Sequence, residues 1–485
     1  MKRKRSRATT AATATTTSNF SNSVIKTVNP TTGRLIREYK IMTKEQIKDK
    51  VRASKEAFQL WKKNLNRRKD FLYEFVHILK KNKEELAKTA TIEMGKAIKE
   101  SRSEIDKCAW TAQYFADNIE IFAKDQVINT DARNSIVKFQ PIGLIASIMP
   151  WNFPYWQALR FAAPALAIGN TIVLKPASAT TQCGIKIEET CRDAGVPDGV
   201  FQTIVGNSTA AENLIRSSEV DAVTFTGSVS VGAIVAQSAV SQVKKCVLEL
   251  GGSDPFIVCS DADIEKASTG AVKGRFINCG QSCIASKRFI VVKDIAEEFI
   301  ERFVQKTEKL RVGNPTLDHT DIGPLVNAKS LENIEGIVDR TIKSGAELIT
   351  GGERGSEEGY FFHPTIFKNI QPEMEIAQEE VFGPVAPIIK VDNEKDAMRI
   401  ANDSKFGLGI SIWTQDLEKA ERLSEVAEAG IVTVNSMVVS DPRVPFGGIK
   451  SSGFGRELSR YGMLEFVNIK SVRFYDELIH THHVE

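Results

Sequence analysis

The sequence predicts an α/β protein built on two parallel sheets, and three observations carry that expectation. From about residue 142 onward, short β-rich runs alternate with helical ones, an arrangement that calls for crossover connections. At 485 residues the chain exceeds one compact core and should divide into at least two domains. With 42% hydrophobic and 26% charged residues the composition is that of an ordinary soluble globular protein. No run approaches the roughly 18 apolar residues of a membrane helix, so no membrane partner is expected.

In order along the chain, residues 1–23 are basic and then Thr/Ala/Ser-rich, with almost nothing apolar to bury, and are expected to be a disordered tail. An organelle presequence is also basic and acid-poor, but the Thr-rich run 9–17 offers no apolar helix face. Lys2, Arg3, Lys4, Arg5 and Arg7 supply five positive charges. The formal net charge of +3 therefore leaves the rest of the chain at −2, which gives the body no nucleic-acid signature. Residues 45–123 read as helical, with Phe71, Phe75, Ile78 and Leu79 at three- and four-residue spacing. Strands then fall at 142–149, 171–174, 200–205, 222–225 and 246–250, separated by helices at 155–168, 180–194, 208–217 and 228–239. A second alternating block runs from 255 to 434, with strands at 256–258, 289–292, 386–391, 409–414 and 431–434. Two further segments, 125–140 and 465–476, read as long strands with no helix after them. Unpaired strand edges are hazardous, so these are expected to pair with each other and with another subunit, in a homodimer or homotetramer.

Chemistry concentrates where apolar runs end. Glu249 closes one strand, Asn152 follows another, and Cys283 sits in the polar turn Gly280-Gln281-Ser282-Cys283 between a helical and a strand pattern. A thiol that attacks a carbonyl, an amide that steadies the oxyanion and a carboxylate that later activates water are the parts for oxidising an aldehyde through a covalent thioester. Each residue also has a plainer reading: Cys283 a small buried hydrophobe, Asn152 a helix cap, Glu249 half of a structural salt bridge. Cys108, Cys183, Cys191, Cys246 and Cys259 lie on apolar patterns and are assigned to the core. Cys279 is either a further packed thiol or a redox partner of Cys283. Seven scattered cysteines suit a reduced, cytoplasmic setting. The six histidines show no ligand spacing, and His480, His482 and His483 crowd the chain end, so no metal is expected.

Seven motifs in series, 150–154, Leu174-Lys175-Pro176-Ala177, Phe225-Thr226-Gly227-Ser228, 249–252, 280–283, Glu380-Val381-Phe382-Gly383-Pro384 and 445–450, resemble the aldehyde dehydrogenase superfamily in order and spacing over about 28–473. The resemblance implies a Rossmann-like NAD(P)-binding domain (24–124 with 141–250), a catalytic domain (251–450) carrying Cys283, and an oligomerisation arm (125–140 and 465–485). It implies Cys283 as nucleophile, Asn152 as oxyanion donor and Glu249 as the base for deacylation, which disfavours acyl transfer to coenzyme A. For the coenzyme it implies Gly227, Ser228 and Gly232 at the pyrophosphate, Lys175 at the ribose, and Glu380 with Phe382 on the nicotinamide side. Pro150, Trp151 and Leu250, flanking the catalytic motifs, complete that set. Many strictly NAD-linked members hold a Glu where Ser178 stands. A serine removes its repulsion of a 2′-phosphate and leaves Lys175 free to pair with one, so NADP is expected to be favoured over NAD.

The substrate expectation rests on a helix too apolar for a bare cation. Trp156 and Arg160 share one face, and Leu159, Phe161, Ala162, Ala163 and Pro164 mark the helix as buried, so the guanidinium needs an anionic partner. Trp156, Gln157 and Arg160, together with Ser282 and Ser440, resemble the succinate-semialdehyde dehydrogenase branch, in which an Arg and a Ser grip the distal carboxylate. The runs 250–258 and 453–459 point the same way. One departure stands out: some members of that branch carry a second Arg six positions before the nucleophile, where this chain has Ile277. Related short aldehydes (glutarate semialdehyde, a neutral or an amino aldehyde) remain alternatives, as does a non-catalytic binding protein on the same fold.

Overall fold

The computed structural model describes residues 24–356 and 358–476. The basic tail, the last nine residues of the expected arm and the three C-terminal histidines lie outside the described residues. The helical stretch resolves into Lys44–Trp61, Leu65–Lys81, Lys83–Met94 and Ile98–Phe122. The first of these opens on a capping box, with Thr43 and Gln46 each satisfying the other's backbone N–H.

The first sheet has six strands in the order Gly453–Phe454, Lys245–Glu249, Ala222–Thr226, Leu144–Ile148, Thr171–Lys175, Phe201–Thr203. All neighbours are parallel except the short Gly453–Phe454. All five parallel strands match the predicted ones, and Gly453–Phe454 is an addition that sequence reading did not place. Alternate residues feed two cores: Ile145, Ile172 and Leu174 pack with the helical bundle on one face, while Leu144, Ala146, Val173 and Val223 pack on the other. Burial on both faces explains the near-continuous apolar runs. Strand order reverses between Leu144–Ile148 and Ala222–Thr226, and the crevice at their carboxyl ends is where α/β sheets take ligands.

The second sheet has seven strands, in the order Glu347–Thr350, Thr365–Lys368, Val385–Val391, Ser286–Val292, Asp254–Val258, Gly409–Trp413, Ile431–Val434. Its five predicted strands are all present. The first two in this order are additions, and Glu347–Thr350 escaped notice because it is an outer, antiparallel strand of four residues with only two apolar ones. The N-terminal hairpin Val24–Val28/Leu35–Lys40 was missed for a similar reason, since most of its second strand is exposed.

The segment 125–140 is not one strand. It folds as a hairpin, Gln126–Ile128 and Asn134–Pro141, because Thr130 to Arg133 form a turn in which the Thr130 hydroxyl accepts the Ala132 N–H. The partner strand is Val467–Phe474, registered from Val467 opposite Pro141 to Phe474 opposite Asn134. No helix among the described residues is long and apolar enough to cross a membrane.

Candidate active site

Cys283 stands at the end of an unusual turn. The helix Ile264–Phe276 gives way to a short 3-10 segment in which Asn278 (φ 51°), Cys279 (φ 56°) and Gly280 (φ 72°) are all left-handed. Two consecutive non-glycine residues there store strain, which persists only where surroundings over-determine it. The surroundings do so. Asn278 N–H donates to Glu100 (3.0 Å), Asn278 Nδ2 donates to the Asn152 carbonyl (2.7 Å), and the buried Arg275 donates to the carbonyls of Gly280, Val381 and Gly383. Beyond the thiol, the buried Lys287 ammonium donates to the carbonyls of Ser282 (2.9 Å) and Cys283 (2.7 Å) and lies 3.6 Å from Glu380.

The thiol opens into a cavity of about 690 Å³. Trp156, Arg160, Ser282 and Ser440 line it with Cys283, as do Phe446, Lys107 and Ile277. The structure thus gathers the four predicted substrate residues around the Cys283 thiol. Burial pushes the thiol up to about 11, against the pull of Arg160 and Lys287, so in the resting protein it holds its proton.

Asn152 and Glu249 are buried behind this surface. Asn152 Nδ2 donates to the Gln281 carbonyl (3.1 Å), which fixes the amide two residues before the thiol. Glu249 ends its strand with both carboxylate oxygens unpaired among the described residues. Burial and the nearby Glu457 hold its carboxyl well above the usual range. The salt-bridged alternative for Glu249 is therefore not the arrangement found.

The expectation for Arg160 needs a correction. Its anionic partner within the fold is Glu457, to which Nε donates, both side chains being fully buried. The buried Arg160 Nη2 has no hydrogen-bond partner among the described residues, and the guanidinium carbon lies 4.4 Å above the Phe446 ring. The helix that carries Arg160, Trp156–Ile168, is anchored at its start by Glu104, whose carboxylate accepts the N–H groups of Tyr155 (2.9 Å) and Trp156 (2.8 Å).

The remaining predicted residues gather at the carboxyl ends of the first sheet. Lys175 ends its strand with no carboxylate in pairing distance among the described residues, and desolvation lowers its pKa. Ser178 stands exposed at the next turn. Ser228 caps the helix Val229–Val240, and Gly227 N–H donates to the Glu249 carbonyl (3.0 Å). Gly232 lets that helix lie against Leu250, whose methyl a Cβ would overlap. Pro150 and Trp151 follow the strand at the switch point. Trp151 meets Phe382 edge to face at 5.7 Å, and Glu380 accepts the Gly252 N–H (3.1 Å).

Sequence reading missed Lys107, Glu100, Asn278, Lys287 and Glu457. Lys287 and Arg288 opening an otherwise apolar strand were the one available signal, because a cation there needs buried acceptors.

A nucleotide-type α/β sheet, a thiol on a strained turn and an unpaired buried carboxylate are the arrangement found, and together they fit an oxidoreductase. The pattern of the aldehyde dehydrogenase family matches residues 16–472, and the chain belongs to that family. It is 44% identical to a probable succinate-semialdehyde dehydrogenase [NADP(+)] of Synechocystis, over 92% of this chain and 99% of that protein. It is 40% identical to succinate-semialdehyde dehydrogenase [NADP(+)] 1 of Mycobacterium tuberculosis, again over 92% and 99%. Among solved structures, the succinic semialdehyde dehydrogenase of Streptococcus pyogenes in complex with NADP+ superposes with a TM-score of 0.91 at 34% identity, covering 93% of this chain and 100% of that one.

Proposed function

We propose that this protein oxidises succinic semialdehyde to succinate with NADP, and less readily NAD, as coenzyme. The observation that carries the reading is the cavity itself, whose wall carries the Cys283 thiol together with polar and basic side chains, Lys107, Arg160 and Ser440. An aldehyde bearing a distal carboxylate satisfies both at once. The named relatives act on the same substrate class.

The fit for a dinucleotide is tested by three features. Lys175 is a half-buried cation without a counter-ion among the described residues, Ser178 stands where a carboxylate would repel a 2′-phosphate, and the helix Val229–Val240 presents its N-terminus at the switch point. Lys175, Ser178, Ser228 and the Gly227 and Gly232 backbone would hold its phosphates and ribose. Pro150, Trp151, Leu250, Glu380 and Phe382 would line the nicotinamide side. When bound, the coenzyme accepts a hydride from the substrate carbon.

The chain's own residues do the rest. Once the Cys283 thiol has lost its proton to solvent, the thiolate adds to the aldehyde carbon, forming the C–S bond as the C=O π bond breaks and the oxygen takes the negative charge. Asn152 Nδ2 and the Cys283 N–H steady that oxygen. Loss of hydride leaves a thioester. Glu249 takes a proton from water, which adds to the thioester carbon and expels the thiolate as succinate forms. Asn278, Arg275 and Lys287 keep the thiol's turn in place throughout.

The test is steady-state oxidation of succinic semialdehyde against butyraldehyde, an uncharged aldehyde of equal carbon number, with each coenzyme. A large preference for the charged substrate with NADP is expected, and equal rates would remove the carboxylate pocket. The three-stranded arm leaves Val127, Ile469 and Phe474 exposed, and we assign it to assembly as a homodimer or homotetramer in the cytoplasm. A monomer by sedimentation equilibrium would overturn the assembly.

A further inference from the structure

We infer that Lys107, on the helix Ile98–Phe122, supplies the positive charge that selects a substrate carrying a distal carboxylate, an assignment that rests on the function proposed above. Arg160 alone is a poor source of that charge, because Glu457 already neutralises it within the fold. Ile277 offers no cation. Lys107 has what is missing: its ammonium donates to the Ser440 hydroxyl (2.6 Å) and lies 4.6 Å above the Trp156 ring, two cavity-wall groups that carry no formal charge.

The other charges nearby are occupied. Glu104 accepts from Lys96 (2.5 Å) and from the two backbone N–H groups already described. Asp441 is held by Arg443, Lys99 by Asp321, and Glu100 accepts the Asn278 N–H. Lys273, at the rim, is exposed to solvent. Among the described residues Lys107 has no carboxylate within ion-pairing distance, and burial together with Arg160 lowers its pKa to about 8, so it still carries its charge at neutral pH. A half-buried ammonium facing an apolar cavity is costly unless an anion completes it. A carboxylate there would accept from Lys107 Nζ and from the Ser440 hydroxyl, two donors brought together from separate segments of the chain beside the Arg160 side chain, which also lines the cavity.

The experiment compares Lys107→Met and Lys107→Arg with the unaltered enzyme, reading kcat/KM for succinic semialdehyde divided by kcat/KM for butyraldehyde. Lys107→Met is expected to lower that ratio by about tenfold to a hundredfold, the worth of one charge-assisted hydrogen bond. The loss should lie mainly in KM for the charged aldehyde, and Lys107→Arg should recover most of it. A ratio within twofold of the unaltered enzyme, an equal loss on both substrates, or an Arg variant as poor as Met would overturn the assignment of Lys107. An unaltered enzyme with no preference would instead overturn the substrate reading on which it rests.

Discussion

At Cys283 two opposing influences act on one proton. Burial raises the thiol to about 11, while Arg160 and Lys287 pull it down without prevailing. A cysteine reacts as its thiolate, so in the coenzyme-free protein the reactive fraction of Cys283 should grow with pH throughout the neutral range. Alkylation of Cys283 by iodoacetamide is expected to accelerate about tenfold per pH unit between 7 and 9. A plateau reached by pH 8 would show an ionised thiol and contradict this. Of the residues that pull on this proton, Lys287 follows four places on, but Arg160 comes near only once the helix Trp156–Ile168 is in place, and Lys107 and Glu457 meet Arg160 only in the folded chain. Cys283, Glu249 and Asn152 were legible because each ends an apolar run. Their supports were not, because a lysine on a helix and a glutamate in a Gly-rich loop look like surface until the fold buries them.

Among the elements, the parallel strands were the most legible, since burial on both faces writes them as continuous apolar runs. Outer strands such as Glu347–Thr350 and Leu35–Lys40 are largely exposed and too short in apolar run to give such a signal. The turn of 277–283 was legible as a turn, but not as a strained one. Its geometry demands glycine at 280: φ is +72° and an added Cβ would overlap the Gly383 carbonyl, a backbone atom with no room to yield. Gly280→Ala should therefore displace Cys283, costing at least about 1–3 kcal/mol of stability and most of the activity. Denaturant unfolding and a turnover assay check both, and a variant matching the unaltered enzyme in each would show that the turn is not strained.

For the whole molecule, the central claim is that two sheets, one of the nucleotide-binding type and one preceded by the thiol's turn, hold the helices and loops that line a chamber for a carboxylate-bearing aldehyde. The C-terminal return ties them together: Gly453–Phe454 joins the first sheet, Glu457 holds Arg160, and Val467–Phe474 completes the arm. The most direct test takes Glu249→Gln, which keeps the shape of the side chain and removes the carboxylate proposed as the base. Supplied with succinic semialdehyde and NADP, it should release a single burst of reduced coenzyme and then stall. Peptide mass spectrometry of the quenched protein should find one succinyl group on Cys283. Undiminished turnover, or a protein that stays unmodified at Cys283 after the burst, would contradict the account.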